Sequence, residues 1–284
     1  MPRPLKITNK QVFFQCNIVG LGANGSNFFR EFTKDLNTYG LTRGMRHSGM
    51  TVDVKLIDKD RVEEKNLKNQ VFAKEDIGDY KVVSLAERYG DHYDIPIKYL
   101  TEYVTDLDML SSIFPHTYYH EDPKVEVIPL LISMVDNNKS RQLFHKFFQS
   151  STLPNLVYID AGVEGVLENE PSSGFGGQVV VGFKWNHEVY LKPVGAVYHN
   201  ILEDKQTAFP NESCAGLIDN HPQRAATNRM AAMITNNVVN NLLHVKTIHQ
   251  HVVNFNAQFC GARPVFVPEE VIKAFEQNQK NDNK

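Results

Sequence analysis

The stretch Val19-Gly20-Leu21-Gly22-Ala23-Asn24-Gly25-Ser26 decides the fold, because it joins two regular segments through closely spaced glycines. The segment before it, Gln11 to Val19, has the apolar content of a strand, and Asn27 to Leu36 has helical spacing. Such glycines let the backbone turn tightly and approach phosphates, while the helix start offers N–H groups and positive potential. The stretch predicts a mononucleotide-binding unit, and a turn that merely packs a helix on a strand remains the alternative.

Strand and helix patterns alternate along the rest of the chain, which favours an α/β fold. Further strands are predicted at Val52 to Ile57, Ile95 to Leu100, Val125 to Val135, Val157 to Asp160 and Val252 to Phe259. Further helices are predicted at Tyr80 to Tyr89, Leu107 to Phe114, Asn138 to Phe148 and Gln223 to Leu243. The segments Gly174 to Gly182 and Glu188 to Leu191 have the pattern of an antiparallel hairpin. We therefore expect a Rossmann-like, mostly parallel sheet with helices on both faces, extended by antiparallel strands in the C-terminal half.

The 284 residues are enough for one large α/β domain. We expect a single domain over residues 1–268, with a nucleotide-binding half at about 11–150 and a second half at about 151–268. Tyr39 to Gly49 is interpreted as an inserted loop, and Pro193 to Asp219 as an irregular segment that holds Cys214. Residues 269–284 are predicted to be a polar tail that frays from Gln277.

Charge and cysteine content exclude several classes of protein. Lys and Arg number 30 against 33 Asp and Glu, a net charge of −3 without long like-charge blocks, which argues against binding to nucleic acid or to an anionic membrane. No segment has the length of a membrane span, and nothing near the first residues is typical of an export signal, so a cytoplasmic location is expected. Three widely spaced cysteines suit neither a disulfide framework nor a four-cysteine zinc site.

Polar residues follow the predicted strands in an order that is specific. Asp58 comes at the end of the second strand, where a dinucleotide-binding unit places its ribose-binding acid, although the inserted loop moves it further along the chain. Asp136 follows a strand that is apolar enough to be buried on both faces, at the sheet edge where open α/β folds bind ligands. The complete series is Leu56-Ile57-Asp58, Asp60, Val62, Asn66-Leu67, Gln70, Phe72, Asp76-Ile77-Gly78, Lys81, Asp136-Asn137 and Arg141.

This series resembles the superfamily of ThiF, MoeB, HesA and the ubiquitin-activating enzymes, over the first half of the chain. The resemblance implies an adenylyltransferase that uses ATP and Mg²⁺ to activate the C-terminal glycine carboxylate of a small ubiquitin-like or sulfur-carrier protein, and it leaves a homodimer open. It further implies the following roles. The loop residues Gly20, Gly22, Asn24 and Gly25 hold ATP, Asp58 binds the ribose, Asn66, Asn69, Gln70 and Lys81 face the phosphates, Asp60 and Asn137 line the same site, and Asp136 supports Mg²⁺.

The chemistry of adenylation agrees with those roles. Attack by a carboxylate on the α-phosphate brings two anions together, so the site needs a metal ion, a cation and fixed N–H donors. Asp136 is the predicted metal ligand, and Lys81 is the predicted cation. Taken singly, Lys81 and Asn66 have ordinary alternatives as a solvated lysine and a loop residue.

Three features depart from the family pattern. Asn69 stands where the family usually has an arginine, and an amide cannot replace a guanidinium that pairs with phosphate oxygens. Lys68, Arg43 or Arg46 compensates, or catalysis is weakened. The paired CxxC zinc motifs of many members are absent from the sequence, so no structural zinc is expected. The N-terminal arginine that some members donate to a dimer partner has Arg3 as its only candidate.

Cys214 is a candidate acyl acceptor. It lies in Glu212-Ser213-Cys214-Ala215-Gly216, and activating enzymes of this superfamily often place such a cysteine after the adenylation core. The Ser213-Cys214 pair and Gly177-Gln178-Val179-Val180-Val181-Gly182 resemble segments of the ThiF-family proteins of PRTRC gene clusters. A small packed cysteine is the alternative. For the whole chain, the rival interpretations are a nicotinamide-dependent oxidoreductase and a catalytically inactive scaffold with the same fold.

Overall fold

The computed structural model describes residues 2–38, 50–114, 124–205, 207–209 and 222–282. Its strands are β1 (Leu5–Lys6), β2 (Gln11–Val19), β3 (Met50–Ile57), β4 (Ile97–Leu100), β5 (Val125–Ser133), β6 (Leu156–Val163), β7 (Gly176–Trp185), β8 (Glu188–Leu191), β9 (Thr247–Ile248), β10 (Gln250–Asn256) and β11 (Gly261–Phe266). Its helices are α1 (Ala23–Thr38), α2 (Lys81–Leu85), α3 (Leu107–Ile113), α4 (Asn138–Ser150), α5 (Val194–Val197), α6 (Asn200–Glu203), α7 (Ala225–Asn240) and α8 (Glu269–Asp282).

The main sheet has the strand order β11-β10-β7-β6-β5-β2-β3-β4, and β8 pairs with β7. The five strands from β4 to β6 are parallel, whereas β7, β10 and β11 continue the sheet in antiparallel pairing. The expected architecture, a mostly parallel sheet with an antiparallel C-terminal extension, is confirmed.

Helices cover both faces of this sheet, as expected for a doubly wound fold. One apolar layer contains side chains of α1, α2, α7 and α8, including Phe28, Phe32 and Val239. The other layer contains side chains of α3, α4, α5 and α6, including Phe144 and Phe148. Within the described part of the chain, no helix is long and apolar enough to cross a membrane.

Strand register aligns the loops at the carboxyl edge of the parallel strands. Val19 pairs in register with Ile57 on one side and with Ser133 on the other, and the same row continues to Leu100 and Asp160. Because the strands are parallel, the loops that follow β2, β3, β4 and β5 emerge side by side. This edge is where open α/β sheets bind ligands.

The C-terminal region differs from the expectation. Residues 269–282, predicted as a polar tail that frays from Gln277, form helix α8. Ile272 and Phe275 are buried, and Phe275 packs against the rings of Phe183, Trp185 and Tyr190. Burial of these apolar side chains stabilises the helix, although its mostly polar composition does not indicate an apolar face.

Two other elements end at residues that differ from the predicted ones. The strand predicted at Val252 to Phe259 is β10, which ends at Asn256 and turns into the unpredicted β11. The helix predicted at Gln223 to Leu243 ends at Asn240 and continues as a π-helical turn to Val245. The predicted inserted loop, Tyr39 to Gly49, lies outside the described residues.

Candidate functional site

The glycine loop between β2 and α1 is shaped by two of its three glycines. Gly20 has φ of +88°, and a Cβ there would lie 3.0 Å from the backbone C and O of Met134. A Cβ on Gly25 would lie 1.9 Å from the carbonyl O of Gly20, so a side chain at either position would disrupt the loop. A Cβ on Gly22 would meet nothing within 4 Å. Gly22 thus faces open space above the start of α1, where the first-turn N–H groups lack helical partners.

Asp58 ties this loop to the end of β3. Its Oδ2 accepts a hydrogen bond from Leu21 N at 2.6 Å, and its Oδ1 accepts one from Asp60 N at 2.8 Å. Burial raises the pKa of Asp58 to about 6, the neighbouring Asp60 charge adds to this rise, and the Lys81 ammonium opposes it. The predicted ribose-binding acid therefore also holds the glycine loop in place.

Lys81 is buried and ion-paired. Its Nζ lies 2.8 Å from Asp60 Oδ2, and only 6% of its side chain is exposed. The other oxygen of Asp60 accepts a short hydrogen bond from the Tyr103 hydroxyl. Although burial opposes ionisation of Asp60, the charge of Lys81 and these hydrogen bonds hold its pKa below the usual value. In this state, the predicted phosphate-binding cation is neutralised by a carboxylate of the same site.

Tyr103 is a site residue that the sequence analysis missed. It lies in the loop after β4, and the Lys59 ammonium lies 5.8 Å from the centre of its ring. Burial raises the pKa of its hydroxyl, helped by the hydrogen bond to Asp60 and by the charges of Asp60, Asp58 and Asp136. Its hydroxyl thus stays a neutral donor among three carboxylates. No motif signals this residue, because only the register of β4 beside β3 brings it here.

Asn66 and Asn69 shape the turn that packs against α1. Asn66 is buried, and its Oδ1 accepts from Glu63 N at 2.8 Å while its carbonyl accepts from Gln70 N at 3.0 Å. The carbonyl of Asn69 accepts from Asn27 Nδ2 at 3.3 Å. These contacts give Asn66 a role in folding the turn, whatever it contacts in a complex. Lys68 is exposed, and the other proposed substitutes for the family arginine, Arg43 and Arg46, lie outside the described residues.

Two amide side chains flank the loop with buried oxygens that have no hydrogen-bond partner among the described residues. They are Asn24, in the first turn of α1, and Gln70. A buried polar atom without a partner is costly, so such atoms call for an explanation at a ligand site. Both residues were predicted to contact the nucleotide, and that contact remains a prediction.

Asp136 is exposed at the end of the loop after β5, and no hydrogen bond or ion pair engages its side chain within the described ranges. Its neighbour Asn137 is the N-cap of α4, with Oδ1 accepting from Ser140 N at 2.8 Å. The cap accounts for Asn137 without a cofactor. Beneath the loop lies a buried ion pair, with Arg141 Nε 3.0 Å from Asp160 Oδ1. From the sequence, Asp160 was predicted only as the end of a strand.

The donor set fits Mg²⁺ bound together with a nucleotide. Magnesium is usually held by one or two carboxylates together with substrate phosphates and water. Asp136 is an exposed carboxylate beside the glycine loop, and no described residue pairs with it. Across residues 2–38, 50–114, 124–205, 207–209 and 222–282, no group of three or more His, Cys, Asp or Glu side chains could hold a metal by itself. Cys214 lies outside these ranges, so its predicted role remains a prediction.

Similar proteins with solved structures share this fold at low identity. PaaA matches with a TM-score of 0.55 and 14% identity over 89% of this chain and 64% of its own. MccB from E. coli, solved with ATP, matches with a TM-score of 0.55 and 15% identity over 92% of this chain and 64% of its own. MccB solved with AMPCPP and MccA matches with a TM-score of 0.54, 16% identity and 92% and 65% coverage. The chain thus spans just under two thirds of the length of these proteins.

Among curated proteins, none matches this chain. The model of the ThiF family matches residues 6–280, which is nearly the entire chain, including the antiparallel half and most of α8. The match therefore covers both the carboxyl edge with its acids and the region beyond the motif series. On this match, the chain belongs to the ThiF family.

Proposed function

We propose that this chain is an ATP-dependent adenylyltransferase that activates the C-terminal carboxylate of a small protein or peptide as an acyl adenylate. The observation that carries the proposal is the convergence of four loops at one sheet edge. The glycine loop, the Asp58 and Asp60 pair with Lys81, the Tyr103 loop and Asp136 all follow neighbouring parallel strands. A phosphate cradle, a ribose acceptor, a cation and a metal ligand are what adenylyl transfer requires.

The charges of this edge support a nucleotide that arrives with its metal. Asp58, Asp60 and Asp136 carry three carboxylates, and Lys81, which is already paired with Asp60, is the cation among the four. Beyond these four residues, the Lys59 ammonium lies by the Tyr103 ring and the Arg141 guanidinium binds the backbone before Asp136. Because ATP is itself a polyanion, Mg²⁺ would offset its phosphate charge beside the three carboxylates and polarise the α-phosphate, with Asp136 as its protein ligand. The side chains of the loop then orient the nucleotide, and positioning supplies much of the rate.

We propose a ubiquitin-like or sulfur-carrier protein ending in glycine as the substrate. MccB, a structural neighbour, has been solved together with MccA, which supports a partner that presents a polypeptide to this fold. Transfer of the acyl group to Cys214 would be a second step, in which the thiolate attacks the acyl adenylate and AMP leaves. A thiol-labile adduct with the carrier that persists unchanged in Cys214→Ser would exclude this step.

Pyrophosphate exchange tests the proposal. Labelled pyrophosphate should enter ATP only when Mg²⁺ and a carrier with a free C-terminal glycine are both present, and a carrier lacking its last glycine is the matched control. Carriers for the assay are small ubiquitin-like proteins ending in glycine. Binding of Mg²⁺–ATP without exchange for any carrier would favour the inactive scaffold, to which Asn69 lends support.

The nicotinamide-dependent oxidoreductase is separated by a binding titration. The glycine spacing and Asp58 suit NADH as well as ATP, but Asp60, Lys81 and Asp136 have no task in hydride transfer. We expect saturable binding of ATP with Mg²⁺ and no measurable binding of NADH. Tighter binding of NADH than of Mg²⁺–ATP would overturn the proposal.

A further inference from the structure

Arg141 is a buried arginine that contacts the backbone just before Asp136. It lies in the first turn of α4 and is 7% exposed. Its Nη2 donates to the carbonyl O of Val135 at 2.6 Å, and its Nη1 reaches Asn138 Oδ1 at 3.3 Å. The Val135 carbonyl belongs to the peptide bond that joins Val135 to Asp136. The guanidinium therefore holds, by a hydrogen bond, the peptide group next to the predicted metal ligand Asp136.

Asp160 holds this guanidinium from the neighbouring strand. It is 1% exposed, and its Oδ1 accepts from Arg141 Nε at 3.0 Å. Its Oδ2 accepts from the Ser133 hydroxyl at 2.7 Å and from the Tyr158 hydroxyl at 3.3 Å. Ser133 and Asp160 are register partners on β5 and β6, so the support is built into the sheet. The arginine is thereby fixed against rigid strands.

The loop around Asp136 is anchored on both sides, while no described residue binds its carboxylate. Met134 N donates to the carbonyl O of Val19 at 2.8 Å, and Asn137 caps α4. A buried ion pair often stabilises a fold no better than an apolar pair of similar volume. Stability alone therefore does not explain why a fully hydrogen-bonded pair lies at this point, whereas the contact with the Val135–Asp136 peptide does.

We propose that Arg141, locked by Asp160, is a positioning residue that aims Asp136 at the metal ion of the nucleotide complex. The inference rests on the proposed function, since it takes Asp136 as the protein ligand of Mg²⁺. Loss of a residue that orients a metal ligand typically weakens metal affinity by about 10- to 100-fold. The metal dependence of nucleotide binding should report this loss directly.

The test variant is Arg141→Lys. Lysine keeps the charge beside Asp160, but its single ammonium cannot reproduce the fork that reaches both Asp160 and the Val135 carbonyl. Binding of AMPCPP is measured by calorimetry over a range of Mg²⁺ concentrations, and circular dichroism checks the fold. We expect the half-saturating Mg²⁺ concentration to rise by about tenfold or more, with metal-free AMPCPP affinity unchanged.

The matched control is Lys184→Met. Lys184 is also a buried cation, 2% exposed, and its Nζ binds Ser151 near the amino edge of the sheet. Lys184→Met should leave the Mg²⁺ dependence unchanged, whatever its effect on the melting temperature, because Lys184 lies far from Asp136. If Arg141→Lys fails to fold, the pair variant Arg141→Met with Asp160→Leu removes both buried charges together and takes its place.

A double-mutant cycle with Asp136→Asn decides whether Arg141 acts through Asp136. In the Asp136→Asn background, Arg141→Lys should have no further effect on the Mg²⁺ dependence, because the two residues form one unit. Equal effects in both backgrounds would overturn the inference, and so would an unchanged Mg²⁺ dependence in Arg141→Lys. Wild-type protein that binds Mg²⁺–AMPCPP but exchanges no pyrophosphate would overturn the proposed function only, since the positioning role is read from binding.

Discussion

The ends of β3 and β5 present carboxylates in opposite states. At β3, Asp58 accepts two backbone N–H groups and Asp60 is occupied by Lys81 and Tyr103. At β5, the Asp136 carboxylate is exposed and unpaired within the described residues, while its backbone is held by Arg141. Under the proposed function, a nucleotide that uses Lys81 or Asp60 would have to displace their present partners, whereas the Asp136 carboxylate has none to displace among the described residues. One edge of the sheet thus combines two kinds of region. In the self-satisfied region, at the end of β3, the charged side chains already pair with one another; in the preorganised region, at the end of β5, the backbone is fixed and the carboxylate is exposed.

Asp136→Asn should have the largest effect, because it removes the free carboxylate of the preorganised region. We expect pyrophosphate exchange to fall by about 10² to 10³-fold, the usual loss of one electrostatic contact to a transition state. The melting temperature should change little, since the side chain is exposed. Asp108→Asn, which alters an exposed carboxylate on α3, is the control and should exchange normally. Full activity of Asp136→Asn would remove the residue from the site.

Lys81→Ala should lower exchange by about 10²-fold by removing the cation of the self-satisfied region. Asp60→Asn sharpens the comparison, because it leaves the Lys81 charge unpaired. If Asp60 masks that charge, metal-free ATP should bind more tightly to Asp60→Asn than to the wild type, as filter binding or calorimetry would measure. Weaker binding would instead mean that Asp60 serves to hold Lys81 in position. Exchange at wild-type rate in Lys81→Ala contradicts the assigned role.

Asp58 predicts a pH dependence of nucleotide binding. With a pKa of about 6, it loses its negative charge and part of its accepting capacity as the pH falls below that value, so nucleotide affinity should decrease as the pH drops through about 6. Because folding raises this pKa above its ordinary value, the contribution of Asp58 to stability is full below pH about 4 and is lost as the pH rises through about 6. Titrations of wild type and Asp58→Asn at several pH values check this. A similar slope in Asp58→Asn would assign the dependence to another group.

Asn69→Arg should have the smallest effect. It restores the guanidinium that the family pattern has at this position, beside the turn that packs on α1. We expect about threefold to tenfold tighter binding of ATP, corresponding to one charge-assisted contact at a half-exposed position. Asn69→Gln is the control, since it lengthens the side chain without adding charge. Equal affinities of both variants and the wild type would mean that this position does not face the phosphates.

The parts of the site that depend on local sequence could be predicted. The glycine spacing, the acid at the end of β3 and the acid at the end of β5 follow from strand patterns, because the carboxyl ends of parallel strands share one edge. The resemblance implied that Lys81 faces the phosphates, which remains a prediction, and its ion pair with Asp60 was not foreseen. Such pairing depends on side-chain geometry that no spacing rule contains.

Other parts depend on contacts between distant segments. Tyr103 meets Asp60 because β4 lies in register beside β3, and Asp160 meets Arg141 because α4 folds back over β6. The helix α8 was missed for the same reason. Its sequence is polar on average, and only the aromatic rings of β7 and β8 give Phe275 a place to bury.

The packing of α8 against Trp185 allows its docking to be followed by intrinsic fluorescence. Trp185 is the only tryptophan of the sequence, it is 7% exposed, and its ring lies 5.8 Å from that of Phe275. It stands at the end of β7 remote from the carboxyl edge, so intrinsic fluorescence reports the docking of the C-terminal helix separately from events at the nucleotide loop. Removing α8 should expose Trp185 and shift its fluorescence emission to the red. If adding nucleotide to the intact chain causes no such shift, the two ends of the sheet respond independently.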